Sequence, residues 1–361
     1  MGQKVSFEGA LYFTKLGVYL ARTWPPSATS GKWERTKYNV AWCLSVLSIV
    51  CYLIPLFHVA SIVHRIFLDV CFNRSFFFFF FFFFFPASQT SIQDMEDFIK
   101  NARPHEITLC RSYVDRCATF HIFISTLNYM ATPLIVCTSL AFNGRALPTT
   151  GVYPFTVDSG IGMVVAYLHQ TFAMLQCSTG VTIDCQAAVM QWYAGARLDI
   201  LADEIGVVKD LEGLEFFVRK HRKLLAYAAD VSDTMAYVVM TSAMTLGVVT
   251  IMSCLQLCGL QFATLALVSS MNLFICAWPA DNLMDAVGNS FAVYNISWID
   301  MSLHMMKNIP IFLQRCQRPV IVSVGGFLPT LSLAFYASFL SAIFSYFTTL
   351  RIVMMSDEKS N

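Results

Sequence analysis

Twelve cysteines and seven histidines are the side chains of this sequence best equipped for metal or redox chemistry. No two cysteines form a Cys-x-x-Cys pair, and Cys254 and Cys258 stand one helical turn apart, a spacing that small apolar packing residues also take. The histidines show no His-Glu-x-x-His or other paired ligand spacing, so neither a metal site nor a cofactor is expected. A Gly-x-Ser-x-Gly elbow, a P-loop and a dinucleotide fingerprint are all missing, which leaves an enzyme reading without residues to rest on. One acid, Asp184, falls inside a long apolar stretch, where an ionisable group is a functional candidate. Its place near the end of that stretch favours pairing with a neighbouring base. A net charge of +1 offers nothing for nucleic acid to bind.

Apolar length is what the chain has in abundance. Its mean hydropathy is +0.58, with 56% hydrophobic and only 13% charged residues, against about 25% charged in a soluble domain. An all-α membrane protein follows, since some 20 apolar residues in a helix cross roughly 30 Å of hydrocarbon. Spans are expected near Val40 to Val63, Phe120 to Phe142, Ile161 to Ala188, Met235 to Leu260, Phe262 to Pro279 and Gly325 to Leu350. A seventh is placed at Phe67 to Phe85, where Asp69, Asn73 and Arg74 precede ten consecutive phenylalanines, Phe76 to Phe85. The first 24 residues carry Lys4, Glu8 and Lys15 and no continuous apolar run, so the first hydrophobic helix is expected to do the targeting.

Cytoplasmic loops retain Lys and Arg. With seven transmembrane helices and a cytoplasmic N-terminus, the four inner segments hold six, four, six and three of these residues, 19 of the 24 present, and the C-terminus is extracellular. Without a span at the poly-Phe run, the basic N-terminal segment and the basic loops downstream would fall on opposite sides. The run itself has two readings that composition leaves open: a low-complexity apolar helix, or a translated pyrimidine tract at an intron edge. The inner connections 191–234 and 280–324 are read as one cytoplasmic anchor region, because LDILADEI and LEGLEFFVRKHRKLLAY are helix-patterned and charged.

An ordered series closes the chain. Tyr294 and Trp298 precede Arg315, Gln317, Arg318 and Pro319, then Gly325, Gly326 and Phe327, then Ser345, Tyr346 and Phe347. Asp184, Leu198, Leu201, His221, Cys276, Trp278 and the Pro279 to Asp285 segment extend the pattern upstream. In this the sequence resembles the insect odorant receptors, from about Ile161 to the end. The resemblance implies an odorant receptor that is one subunit of a ligand-gated, non-selective cation channel, assembled as a hetero-tetramer with a shared co-receptor subunit. It also implies a site for small volatile ligands in the outer half of each helical bundle, a pore lined by the seventh helix, and the plasma membrane of an olfactory sensory neuron dendrite. Two alternatives stay open: a gustatory-type receptor channel, whose ending differs from Ser345-Tyr346-Phe347, and a G-protein-coupled receptor, whose Asp/Arg motif would follow the third span whereas Asp115-Arg116 precedes it.

That topology brings Tyr129, Met130 and Thr132 near mid-membrane, with Tyr167, Gln170, Thr171 and Met174 in the outer half to middle. Aromatic, thioether and hydroxyl side chains suit a mostly apolar small ligand, and ordinary helix packing explains any one of them equally. By resemblance the channel narrows just after Ser-Tyr-Phe, at Thr349 and Ile352, with Ser345 one turn earlier on the same stripe. The competing reading of Thr348 and Thr349 is that their hydroxyls bond carbonyls of their own helix.

Overall fold

The computed structural model of the protein describes residues 7–20, 24–27, 29–57, 89–142, 147, 153, 155, 157, 160–206, 208, 210–255, 260–288, 303–316, 320–323 and 329–360. The expected span Phe67 to Phe85 lies outside the described residues, as do Tyr294, Trp298, Gln317, Arg318, Pro319, Gly325, Gly326 and Phe327. Among the described residues the regular structure is entirely helical. It comprises α1 (Phe7–Gly17), α2 (Lys32–Phe57), α3 (89–101), α4 (Pro104–Phe142), α5 (Ile161–Ile205), α6 (Leu211–Leu255), α7 (Leu260–Gly288), α8 (Leu303–Cys316) and α9 (Leu333–Ser360).

Local chemistry sets the helix ends. Pro104 opens α4, and Glu106 reaches back to accept the Arg103 amide at 2.7 Å, one arm of a capping box. Gly160 enters α5 at a positive φ of 73°, a conformation costly for any residue with a Cβ. Asp210 caps α6 by accepting the Gly213 amide at 2.8 Å. The last helix begins at Leu333, later than the Gly325 read from hydropathy. Ser332 caps it through the Phe335 amide (3.1 Å), and the Asp281 carboxylate of α7 accepts the Leu333 amide at 3.2 Å, where the helix dipole favours negative charge.

The helices α5 and α6 each run 45 residues, about 68 Å at 1.5 Å per residue and more than twice the hydrocarbon thickness of a bilayer. Pro104–Thr138 of α4 is long and apolar enough to cross a membrane, and Leu333–Thr349 forms a shorter apolar helix. The bundle centres on α5, which packs against α4, α6 and α7, while α9 lies along α6 and α7. One core joins Val18 in the turn after α1, Ile183, Ala187 and Met190 of α5, Val238 and Leu246 of α6, and Leu273 and Cys276 of α7. A second core joins Leu198 and Leu201 of α5, Phe217 and Leu225 of α6, Leu283 of α7, and Ile309 and Phe312 of α8. The segments read as a charged inner connection are thus the far ends of α5 and α6, with α8 packed across them.

Candidate functional site

The ligand candidates sit on the facing helices α4 and α5. Thr132 is buried and its hydroxyl meets that of Ser178 at 3.2 Å; Ser178 also donates to the Asn128 and Met174 carbonyls, each at 3.1 Å. The Tyr167 hydroxyl crosses to the Val136 carbonyl of α4 at 3.3 Å, and Thr171 donates to the Tyr167 carbonyl of its own helix at 2.8 Å. Gln170 is 1% exposed and bonds Tyr153. Met174 is half-buried, whereas Met130 points outward at 60% exposure. The Tyr129 phenol donates to the Gly17 carbonyl at the end of α1. The structure therefore brings Thr132, Tyr167 and Tyr129 into one α4–α5 seam and turns Met130 away from it.

Residues that the sequence alone did not single out complete this region. The Tyr153 hydroxyl lies 3.2 Å from His169 Nδ1, with the two rings edge to face at 6.2 Å, and Phe155 is 5.1 Å from Tyr153. A loop residue thereby reaches two turns into α5. Burial holds the Tyr153 phenol above its ordinary pKa, and the Gln170 bond opposes that. An aromatic residue in a loop carries no periodicity, so only its tertiary partner reveals it.

On α9, Tyr336, Phe339, Leu340 and Ile343 pack into the bundle. Ser338, Ser341, Ser345, Thr348, Thr349 and Ile352 occupy the opposite, exposed face, with the rings of Phe344 and Tyr346 exposed on either side of it. The hydroxyls of Thr348 and Thr349 both donate to the Ser345 carbonyl, at 2.9 and 2.8 Å.

At the other end of the molecule, polar ties fix the long helices. Tyr113 of α4 donates to Asp199 of α5, and Lys220 of α6 pairs with Glu204 of α5. Arg197 stacks 3.7 Å over Phe98 and donates to the Tyr193 hydroxyl at 2.7 Å. Burial raises the Asp199 carboxyl against the Tyr113 bond that lowers it. His221, 4% exposed, meets the Phe312 ring edge to face at 4.9 Å. Burial pushes its pKa down to about 4, and Arg315 adds to the effect. Beside it an open groove of about 500 Å³ is lined by Arg219, Arg222, Arg315, Leu214, Leu225 and Phe312. Asp184 is half-buried next to fully buried Cys185. Cys43, Cys51, Cys110, Cys117, Cys137, Cys185 and Cys276 are free thiols, and among the described residues no group of His, Cys, Asp and Glu is arranged to hold a metal ion.

Long helices wrapped about one central helix, a short crossing helix and a capped final helix make up the described fold. The chain superposes on the olfactory receptor OR5 of Machilis hrabei in complex with eugenol at a TM-score of 0.75, covering 95% of this chain and 98% of that one at 16% identity. A second structure of the same receptor gives 0.65. The model of the 7tm odorant receptor family matches residues 66–344, and the chain belongs to that family of insect membrane receptors. Odorant receptor 10 of Aedes albopictus and odorant receptor Or2 of Anopheles gambiae are each 24% identical over 151 residues, a stretch spanning 38% of this chain and 38% of each relative. Odorant receptor 30a of Drosophila melanogaster is 36% identical over 64 residues, 18% of this chain.

Proposed function

We propose that this odorant receptor is the ligand-recognising subunit of an odorant-gated, non-selective cation channel, assembled with a shared co-receptor in the plasma membrane. The observation that carries the reading is a stripe of hydroxyls along the exposed side of α9, Ser338, Ser341, Ser345, Thr348 and Thr349, opposite the aromatic and aliphatic residues that pack into the bundle and flanked by exposed Phe344 and Tyr346. A helix facing lipid would be apolar on its outer face; one facing water or a close neighbour needs small polar residues there. Ser345, Thr349 and Ile352 lie on that outer face and are assigned to the pore. Seven helices cross the membrane in this reading, with the N-terminus inside and the C-terminus outside.

Thr132, Tyr167, Gln170, Thr171 and Met174, with the ring of Tyr129, are assigned to the odorant site; Met130, 60% exposed, faces away from it. Their mix of apolar surface with a few hydroxyl and amide groups fits a small, mostly apolar volatile bearing at most one or two polar atoms. Expressing the chain with and without the co-receptor and recording currents against an odorant panel tests the whole reading. Odorant-evoked cation current only in the combined cells is expected; Tyr167→Ala should then reorder the effective odorants at unchanged surface expression. Current in neither case, at normal surface levels, refutes the channel assignment.

A further inference from the structure

The C-terminal turn of α1 is held by donors from three other helices. A helix end leaves its last carbonyls without intrahelical partners, and buried carbonyls must find donors elsewhere. The Gly17 carbonyl accepts two: the Tyr129 hydroxyl of α4, and the Thr182 hydroxyl of α5 at 3.0 Å, whose proton is shared with the Thr179 carbonyl of its own helix at 2.7 Å. The Leu20 carbonyl accepts Ser45 of α2 at 3.1 Å, and Gln176 of α5 donates to Ser45 Oγ at 2.9 Å. Val18, between these two carbonyls, is fully buried in the main core. Gly17 has no space for a side chain, because a Cβ there would stand 2.9 Å from Thr182 Cγ2. Lys15 and Trp24 flank the turn and both reach Glu96 of α3, at 2.5 and 3.0 Å.

Burial of Val18 would suffice to anchor an amphipathic helix. A carbonyl shared between α4 and α5 does something more: it fixes their separation one turn away from the Thr132–Ser178 bond. A ligand that wedges those helices apart must break one of the two bonds to Gly17, and the α1 end then loses its seat. Resting on the odorant-cavity reading above, we propose that Tyr129 and Thr182 are positioning residues. Their hydroxyls couple the spacing of α4 and α5 to the docking of α1, so the Tyr129 hydroxyl serves this seat and not the odorant.

The test uses Tyr129→Phe and Thr182→Val, which keep shape and remove one donor each, and Gly17→Ala, which adds the clash. Amide hydrogen exchange at Val18 and Tyr19 is measured in nanodiscs, and currents are measured with the co-receptor across an odorant panel. Each variant should speed exchange by on the order of tenfold, as expected when a buried hydrogen bond is lost. Each should also scale the maximal current of every odorant by a common factor while leaving their rank order intact. A changed rank order in Tyr129→Phe with unchanged exchange would assign the hydroxyl to the ligand and overturn the proposal. Faster exchange with unaltered currents would reduce α1 to a passive anchor, which also overturns it. No change in either measurement does the same. A wild-type chain silent to the whole panel would sink the odorant reading and the coupling with it, while the exchange arm still reads the seat.

Discussion

Lowering the pH should loosen the α6–α8 contact through His221. The imidazole is 4% exposed, pressed against Phe312 and near Arg315, and its pKa falls from 6.5 to about 4 on folding. A depressed histidine pKa means that the unfolded chain binds the proton more readily. The stability from keeping the ring neutral is therefore complete above pH 6.5 and is lost as pH falls from there to 4. Each pKa unit corresponds to about 1.4 kcal/mol, so the full effect is about 3 kcal/mol, of which about 2 kcal/mol disappears between pH 7 and pH 5. Other groups titrate over the same range; the raised Asp199 carboxyl acts in the opposite direction. The informative quantity is thus a difference between wild type and His221→Phe, which keeps an aromatic ring against Phe312 and cannot take a proton. Thermal unfolding of the purified receptor at pH 7 and pH 5 should show wild type losing a few degrees more than the variant. Equal losses in the two proteins, or a larger loss in the variant, would refute the burial argument.

Three further outcomes are expected. Thr349→Cys and Ile352→Cys, treated with a thiol reagent from the extracellular side, should block or alter the odorant-evoked current; labelled channels that conduct with unchanged selectivity would remove this face of α9 from the pore. Ser332→Ala should lower stability by about 1 kcal/mol, because the Phe335 amide loses its acceptor, and an unshifted unfolding midpoint would show that Asp281 alone holds the end of α9. Of the two glycosylation sequons, Asn73 and Asn295, the second lies on the cytoplasmic side in the inside-N topology and should stay bare, while a tag after Asn361 should be reachable on intact cells; a glycan on Asn295 would reverse the topology.

Composition and the closing motif series already pointed to a helical membrane protein of the odorant receptor type, because several apolar runs of some 20 residues are what spanning a bilayer repeatedly requires and the ordered series is more specific than any one of its motifs. The extension of α5 to Ile205 and of α6 from Leu211 was also legible, since LDILADEI and FFVRKHRKLL keep the helical period beyond the apolar stretch. What the sequence could not show was which donor meets which acceptor across helices. Tyr129 reads as a cavity residue by type, yet its hydroxyl is committed to a carbonyl 112 positions earlier. Tyr153 reads as a loop residue, yet it reaches His169 and Gln170 of α5. The Gly325 start expected for the last helix gave way to Leu333, because the cap is made by Ser332 together with Asp281 from another helix. Periodicity records whether a residue faces oil or water, and that is local in the chain. Hydrogen-bond partnership depends on how helices far apart in sequence are aligned along one another, and only the assembled bundle fixes that alignment.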